Sequence, residues 1–233
     1  MSEQLIQWME ITFDLAYLVT VWILTILMYK NWDKLSPENK TVGKLFTLAF
    51  FLLALGDTGH VGFRVPAHLL GGLEANQNLV GIGGLATAIT VTLFYMVVAE
   101  IWRVIFDKKR GFLWWCLMLF GVIRLIVMVF PQNEWFTHSA SYGWSLARNI
   151  PLMLQGLVVA IAILVCGMKN KDKFSVIVSI MIFLSYAFYI PVILFVRQIP
   201  MLGMLMIPKT LAYVAIAAIA YVVLFRRQAV KEE

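Results

Sequence analysis

Five ionisable residues, Asp14, Asp57, His60, Arg124 and Lys209, sit inside long apolar stretches of this 233-residue chain. Charged groups at membrane depth cost about 2.5–3.5 kcal/mol each on insertion scales, so a chain that keeps several of them uses them. Arginine and lysine attract anions, and arginine matches carboxylate or phosphate with two parallel bonds. Asp57 and His60 stand three residues apart, one helical turn, a spacing that suits an acid/base pair acting on a lipid. Asp57 with Arg124 is the expected internal ion pair. His60 is also the natural pH-sensitive element, with a reference pKa of about 6.5.

The elements that position them follow from composition. With 61% hydrophobic and 14% charged residues, a soluble fold of this size could not hide its apolar surface. Seven apolar runs are long enough to cross a bilayer, at about 4–29, 43–65, 79–103, 111–130, 147–168, 174–197 and 201–225. The expected fold is therefore all-α, a single domain over 1–233 built as a bundle of seven transmembrane helices. The first run lacks the basic flank of a cleavable leader and reads as a retained span. Cys116 and Cys166 both fall within spans and read as small apolar packers.

Basic residues set the expected orientation. Lys30, Lys34, Lys40 and Lys44 follow the first span, and Arg103, Lys108, Lys109 and Arg110 follow the third. Lys169, Lys171 and Lys173 follow the fifth, and Arg226, Arg227 and Lys231 follow the seventh. Arg64, Arg148 and Arg197 mark the opposite side. The positive-inside rule then puts the N-terminus outside and the C-terminus in the cytoplasm. The +6 net charge is thereby accounted for by topology, with no motif for nucleic acid.

At about 1.5 Å per residue, the five ionisable groups lie about 20–26 Å from the basic ends of their helices. They share one layer in the outer part of the bilayer. Helical spacing extends it into stripes: Gln7, Glu10, Asp14 and Tyr17; Asp57, His60 and Arg64; Arg148 and Gln155; Lys209 and Tyr213; Ser175, Ser179, Tyr186 and Tyr189. Such stripes face a bundle interior or a water cavity. An outward-opening polar cavity floored near Asp57 and Arg124 is expected, lined by Asp14, Asp57, His60, Arg64, Arg124, Arg148, Asn149, Tyr189 and Lys209. Cations outnumber carboxylates there, which favours an anionic ligand or lipid headgroup. The competing reading is structural: ion pairs that set helix register, and arginines that snorkel to the interface.

Other motifs carry less. Pro208 before Lys209, and Pro191 after Tyr189, could break their helices, a common device at membrane binding sites. His60, His68 and His138 lack zinc-site spacing, so neither a metal nor a cofactor is expected. Gly81-Ile82-Gly83-Gly84 is expected to let helices approach closely. Glu100 and Arg103 form an ordinary pair three residues apart. Trp114, Trp115, Trp135 and Trp144 read as interfacial belts.

The strings Gly56-Asp57 with His60 and Arg64, Pro131-Gln132-Asn133, Arg148-Asn149-Ile150-Pro151 and Ile207-Pro208-Lys209-Thr210 resemble a group of small bacterial seven-helix membrane proteins of unknown function. The resemblance covers the whole chain and implies a multi-pass protein of the bacterial inner membrane; it implies no activity. Microbial rhodopsins fit poorly, because helix 3 lacks an outer-half carboxylate. Alkaline-ceramidase-like hydrolases need a histidine pair on the last helix, which is missing here. Lysoplasmalogenase-type proteins share Gly56-Asp57 but need a second aspartate motif, and SWEET-type carriers place their Pro-Gln motifs elsewhere.

Three functions follow as expectations. The first is binding of a small anionic or amphiphilic ligand, in transport or sensing; transport predicts a path into the cytoplasmic half past Gln155 and Ser179. The second is a lipid hydrolase with Asp57 and His60 as catalytic pair. The third is a scaffold or subunit with a membrane partner protein.

Overall fold

The computed structural model describes residues 3–137 and 141–226. Helices α1 to α7 span Glu3–Asn31, Pro37–Leu69, Gln77–Ile105, Phe112–Val129, Tyr142–Lys169, Lys173–Phe195 and Met206–Ala220. A 3-10 segment, Pro200–Leu205, leads into α7, and a π-helical turn, Tyr221–Arg226, follows it. No strand occurs among the described residues. Among them, seven helices are long and apolar enough to cross a membrane, the seventh counted from Pro200 to Arg226. Helices suit that environment because each backbone group finds its partner within its own segment.

The α1 sequence illustrates how a lipid-facing helix is written. Tyr17, Val21, Thr25 and Met28 are buried at spacings of four, four and three, while Leu15, Val19, Ile23 and Ile26 are exposed. An apolar residue on the outer face carries no penalty in lipid, so hydrophobicity alone does not mark the inward stripe.

Chain breaks use local chemistry. Ser36 precedes Pro37, which opens α2 where a missing N–H is harmless. Gly71 and Gly72 close it with φ of 107° and 99°, a left-handed region that glycine enters without penalty. Asn76 then bonds the carbonyls of Ala67, Leu70 and Gly72. Asp172 caps α6 by accepting from the Phe174 N–H at 3.0 Å.

Neighbours in sequence pack as neighbours in space, and α1 contacts α7, so the seven helices close into a ring; α3 also reaches α5. The closest pair is α2 and α3. A Cβ at Gly83 would meet the backbone of Gly59 and His60 at 3.0–3.2 Å, so only glycine permits this approach. The Thr87 hydroxyl, one turn on, donates to the Gly56 carbonyl at 2.9 Å. The expectation for the Gly81–Gly84 stretch is met at Gly83, while Gly81 abuts the Trp135 backbone instead.

The two halves of the bundle differ. At the end carrying the basic loops, Met28, Phe46, Ile101, Trp102, Ile163 and Phe225 pack into a solid apolar core. Above it lies an aromatic layer. Phe94 stands edge-on to Phe50, Tyr95 and Tyr213, and Tyr95 meets Tyr186 with ring centres 5.8 Å apart. The other half is hollow.

Candidate functional site

The hollow is a cavity of about 670 Å³ bounded by all seven helices. It occupies the end of the bundle where α1, α3, α5 and α7 begin and α2, α4 and α6 end. Met9, Arg197 and Met204, exposed wall residues, mark its mouth. Tyr95, Leu152, Tyr186 and Tyr213 are buried at its base. Asp14, Asp57, His60, Arg64, Arg124, Arg148, Asn149, Tyr189 and Lys209 all border this one cavity.

Their partners differ from the expected ones. Arg124 is 3% exposed and does not pair with Asp57. Its guanidinium donates to the Arg148 carbonyl at 2.8 Å, the Ala88 carbonyl at 3.0 Å and the Thr92 hydroxyl at 2.6 Å. It ties α4 to α3 and α5, with backbone oxygens in place of a carboxylate. Asp57 instead accepts from the Tyr17 hydroxyl on α1 at 2.5 Å. Arg64 is bound to Glu10, Nε to Oε1 at 2.5 Å, so its charge is matched at the mouth.

Three groups stay unmatched. Lys209 makes no ion pair or hydrogen bond with the described residues; its Nζ lies 4.8 Å from the Tyr189 ring centre and 5.7 Å from that of Tyr213. Asp57 is the carboxylate that acts on it electrostatically within the same cavity. Arg148 stacks on Trp135 at 4.4 Å and reaches Asn133 only at 3.4 Å. Asp14 has neither hydrogen bond nor ion pair among the described residues. Tyr189 donates to the Asn149 side chain at 3.3 Å, setting two polar groups beside Arg148.

Two residues escaped the sequence reading. Tyr95 meets Tyr213 hydroxyl to hydroxyl at 2.6 Å and closes the floor. Thr92 and Tyr95, three apart on α3, are a faint polar signal that could have flagged it. Trp135, expected in an interfacial belt, lines the cavity and donates to the Met128 carbonyl at 3.1 Å. Nothing in the sequence marks that inward turn, which depends on the 3-10 turn Pro131–Asn133 and on Glu134 at φ 47°.

Other expectations are corrected. Gln155 and Ser179 line no path; both are buried, Gln155 donating to the Leu117 carbonyl at 2.9 Å and Ser179 to Val176 at 2.8 Å. Ser175 lies far below the cavity, bonded to Asp172 at 2.5 Å. Pro208 does not break a helix midway. It falls in the first turn of α7, where the chain passes from 3-10 to α and a proline needs no N–H. Pro191 lies inside α6. Asp57 and His60 share the wall but no hydrogen bond joins them. Among the described residues no three His, Cys, Asp or Glu side chains converge on a metal position; His138 lies outside them, as do Arg227 and Lys231. Cys116 and Cys166 are both free thiols.

Comparison with family models, curated proteins and solved structures gives no match.

Proposed function

We propose that this chain is a multi-pass membrane protein that binds a small anionic or amphiphilic ligand in its one-sided cavity, as a sensor or receptor-like binding protein. One observation carries the reading: five cations, Arg64, Arg124, Arg148, Arg197 and Lys209, line the cavity against three carboxylates, Glu10, Asp14 and Asp57. Two positive charges remain even with every carboxylate matched. Arg148 and Lys209 are the strongest candidates to meet an anion, because neither has a carboxylate within ion-pairing distance. A bidentate guanidinium contact and a lysine point charge would satisfy a carboxylate or phosphate oxygen. The volume suits an organic molecule better than a bare ion, since ligand pockets run about 300–1,000 Å³.

The aromatic layer and the apolar core packed beneath the cavity support sensing over transport. The hydrolase reading has less support, because Asp57 is held by Tyr17 and His60 is not bonded to it. The loop lysines and arginines support an orientation with the cavity facing outward and the C-terminus in the cytoplasm, in a bacterial inner membrane.

Native mass spectrometry of the detergent-purified protein tests this. A discrete adduct on the wild type, lost in both Lys209→Ala and Arg148→Ala, is the expected result. No adduct, with both variants as stable as wild type, would overturn it and leave a scaffold for a membrane partner protein.

A further inference from the structure

Apart from Lys209 on α7 and Arg197 after α6, the charges of the cavity are sorted by wall. Glu10 and Asp14 come from α1 and Asp57 from α2; Arg124 comes from α4 and Arg148 from α5. In the ring these two groups of helices lie on opposite sides, with α3 on one flank and α6 and α7 on the other. Arg64 on α2 does not blur the pattern, because Glu10 matches it. Two acids, Asp14 and Asp57, therefore stand on the α1–α2 wall with no cation in ion-pairing contact.

A purely anionic ligand does nothing for those acids. Both would stay unmatched beside an incoming negative charge. We infer that the ligand is dipolar: a cationic nitrogen meets Asp14 and Asp57, while an anionic oxyacid group meets Arg148 and Lys209. This rests on the binding role proposed above and narrows its chemical class.

The acid wall also has the right surroundings for such a nitrogen. Phe13 and Tyr17 stack with ring centres 6.4 Å apart and line the cavity beside the two aspartates. Aromatic faces with carboxylates are the setting that holds alkylated ammonium groups. Lys209 already lies over two tyrosine rings across the floor, so a cation over aromatic faces is an arrangement the cavity adopts. A betaine, or a lipid headgroup of the phosphocholine type, carries both charges at the separation of a few bonds.

The test uses the full chain in native mass spectrometry with probes that differ in headgroup, cationic or neutral beside the phosphate, or in the acyl chain. Lysophosphatidylcholine and lysophosphatidylglycerol share a phosphodiester and an acyl chain; glycerophosphocholine lacks the chain. Lysophosphatidylcholine is expected to bind at least about tenfold tighter than lysophosphatidylglycerol, the scale of one added charge contact. Asp14→Asn should remove that preference without weakening lysophosphatidylglycerol. It has no hydrogen bond to lose, so it keeps the test clean if Asp57→Asn fails to fold. Arg148→Gln should weaken both. Binding of glycerophosphocholine with the same Asp14 dependence identifies a free zwitterion; binding of the acylated form alone identifies a lipid headgroup. Equal or tighter lysophosphatidylglycerol binding overturns the dipolar ligand while leaving the anion site standing. Binding of no probe overturns both.

Discussion

Gly156→Ala puts the packing around the cavity to a direct test. A Cβ at Gly156 on α5 would land on the hydroxyl and ring of Tyr186. Tyr186 has no room to yield sideways. It is 2% exposed, lies against Tyr95 and Tyr189 at 5.8 and 6.3 Å, and donates to the Leu152 carbonyl at 2.9 Å. The free space near it is the cavity itself, so the ring must swing there and give up its hydrogen bond. Overpacking costs about 1–3 kcal/mol and the lost bond about 1 kcal/mol. The entropic benefit of replacing glycine offsets about 0.4–1 kcal/mol. The net loss is about 1–3.6 kcal/mol, which lowers the unfolding midpoint of a chain this size by roughly 2–14 °C. Gly62→Ala is the control, because nothing lies within 4 Å of a Cβ there. It should raise the midpoint by up to about 4 °C. Tryptophan fluorescence during thermal unfolding in detergent reads both. A Gly156→Ala midpoint equal to that of Gly62→Ala would refute the packing argument, and with it the claim that Tyr186 is wedged at the cavity base.

Two further variants separate the ends of the molecule. Tyr17→Phe removes the only hydrogen bond that Asp57 accepts from the described residues. The loss should be about 1.5–3 kcal/mol, as for bonds to charged acceptors; an unchanged unfolding midpoint would mean that Asp57 is held some other way. Glu100→Gln acts at the far end, where Glu100 accepts from Arg103 at 2.7 and 2.9 Å and from Trp114 at 2.9 Å. It should cost about 1 kcal/mol or less and leave adduct formation in the cavity unchanged. A lost adduct would mean that the two ends communicate.

How much of this could be read in advance depends on what lipid imposes. The seven spans were legible because a bilayer demands long apolar runs whatever the packing between them. The shared layer of Asp14, Asp57, His60, Arg124 and Lys209 was legible from helix rise and from the basic loop anchors. The partners were not. A long arginine stem sweeps several directions, and backbone carbonyls leave no trace in a sequence, so Arg124 with three neutral acceptors could not be told from Arg124 with a carboxylate. Gln155 and Ser179 failed for a related reason. A buried polar side chain that donates to a carbonyl has the same spacing as one that lines water. Pro208 misled because the α7 boundary depends on a 3-10 segment whose residues, Met201 to Leu205, carry no distinctive pattern.

The solid core beneath Tyr95, Tyr186 and Tyr213 makes the molecule a blind cup. In this conformation whatever enters leaves by the same rim. Its residence time is governed by the rim, where Arg64 and Glu10 clasp and Arg197 stands over Tyr142. On the binding role proposed above, the floor groups would set how tightly a ligand is held and the rim how fast it exchanges.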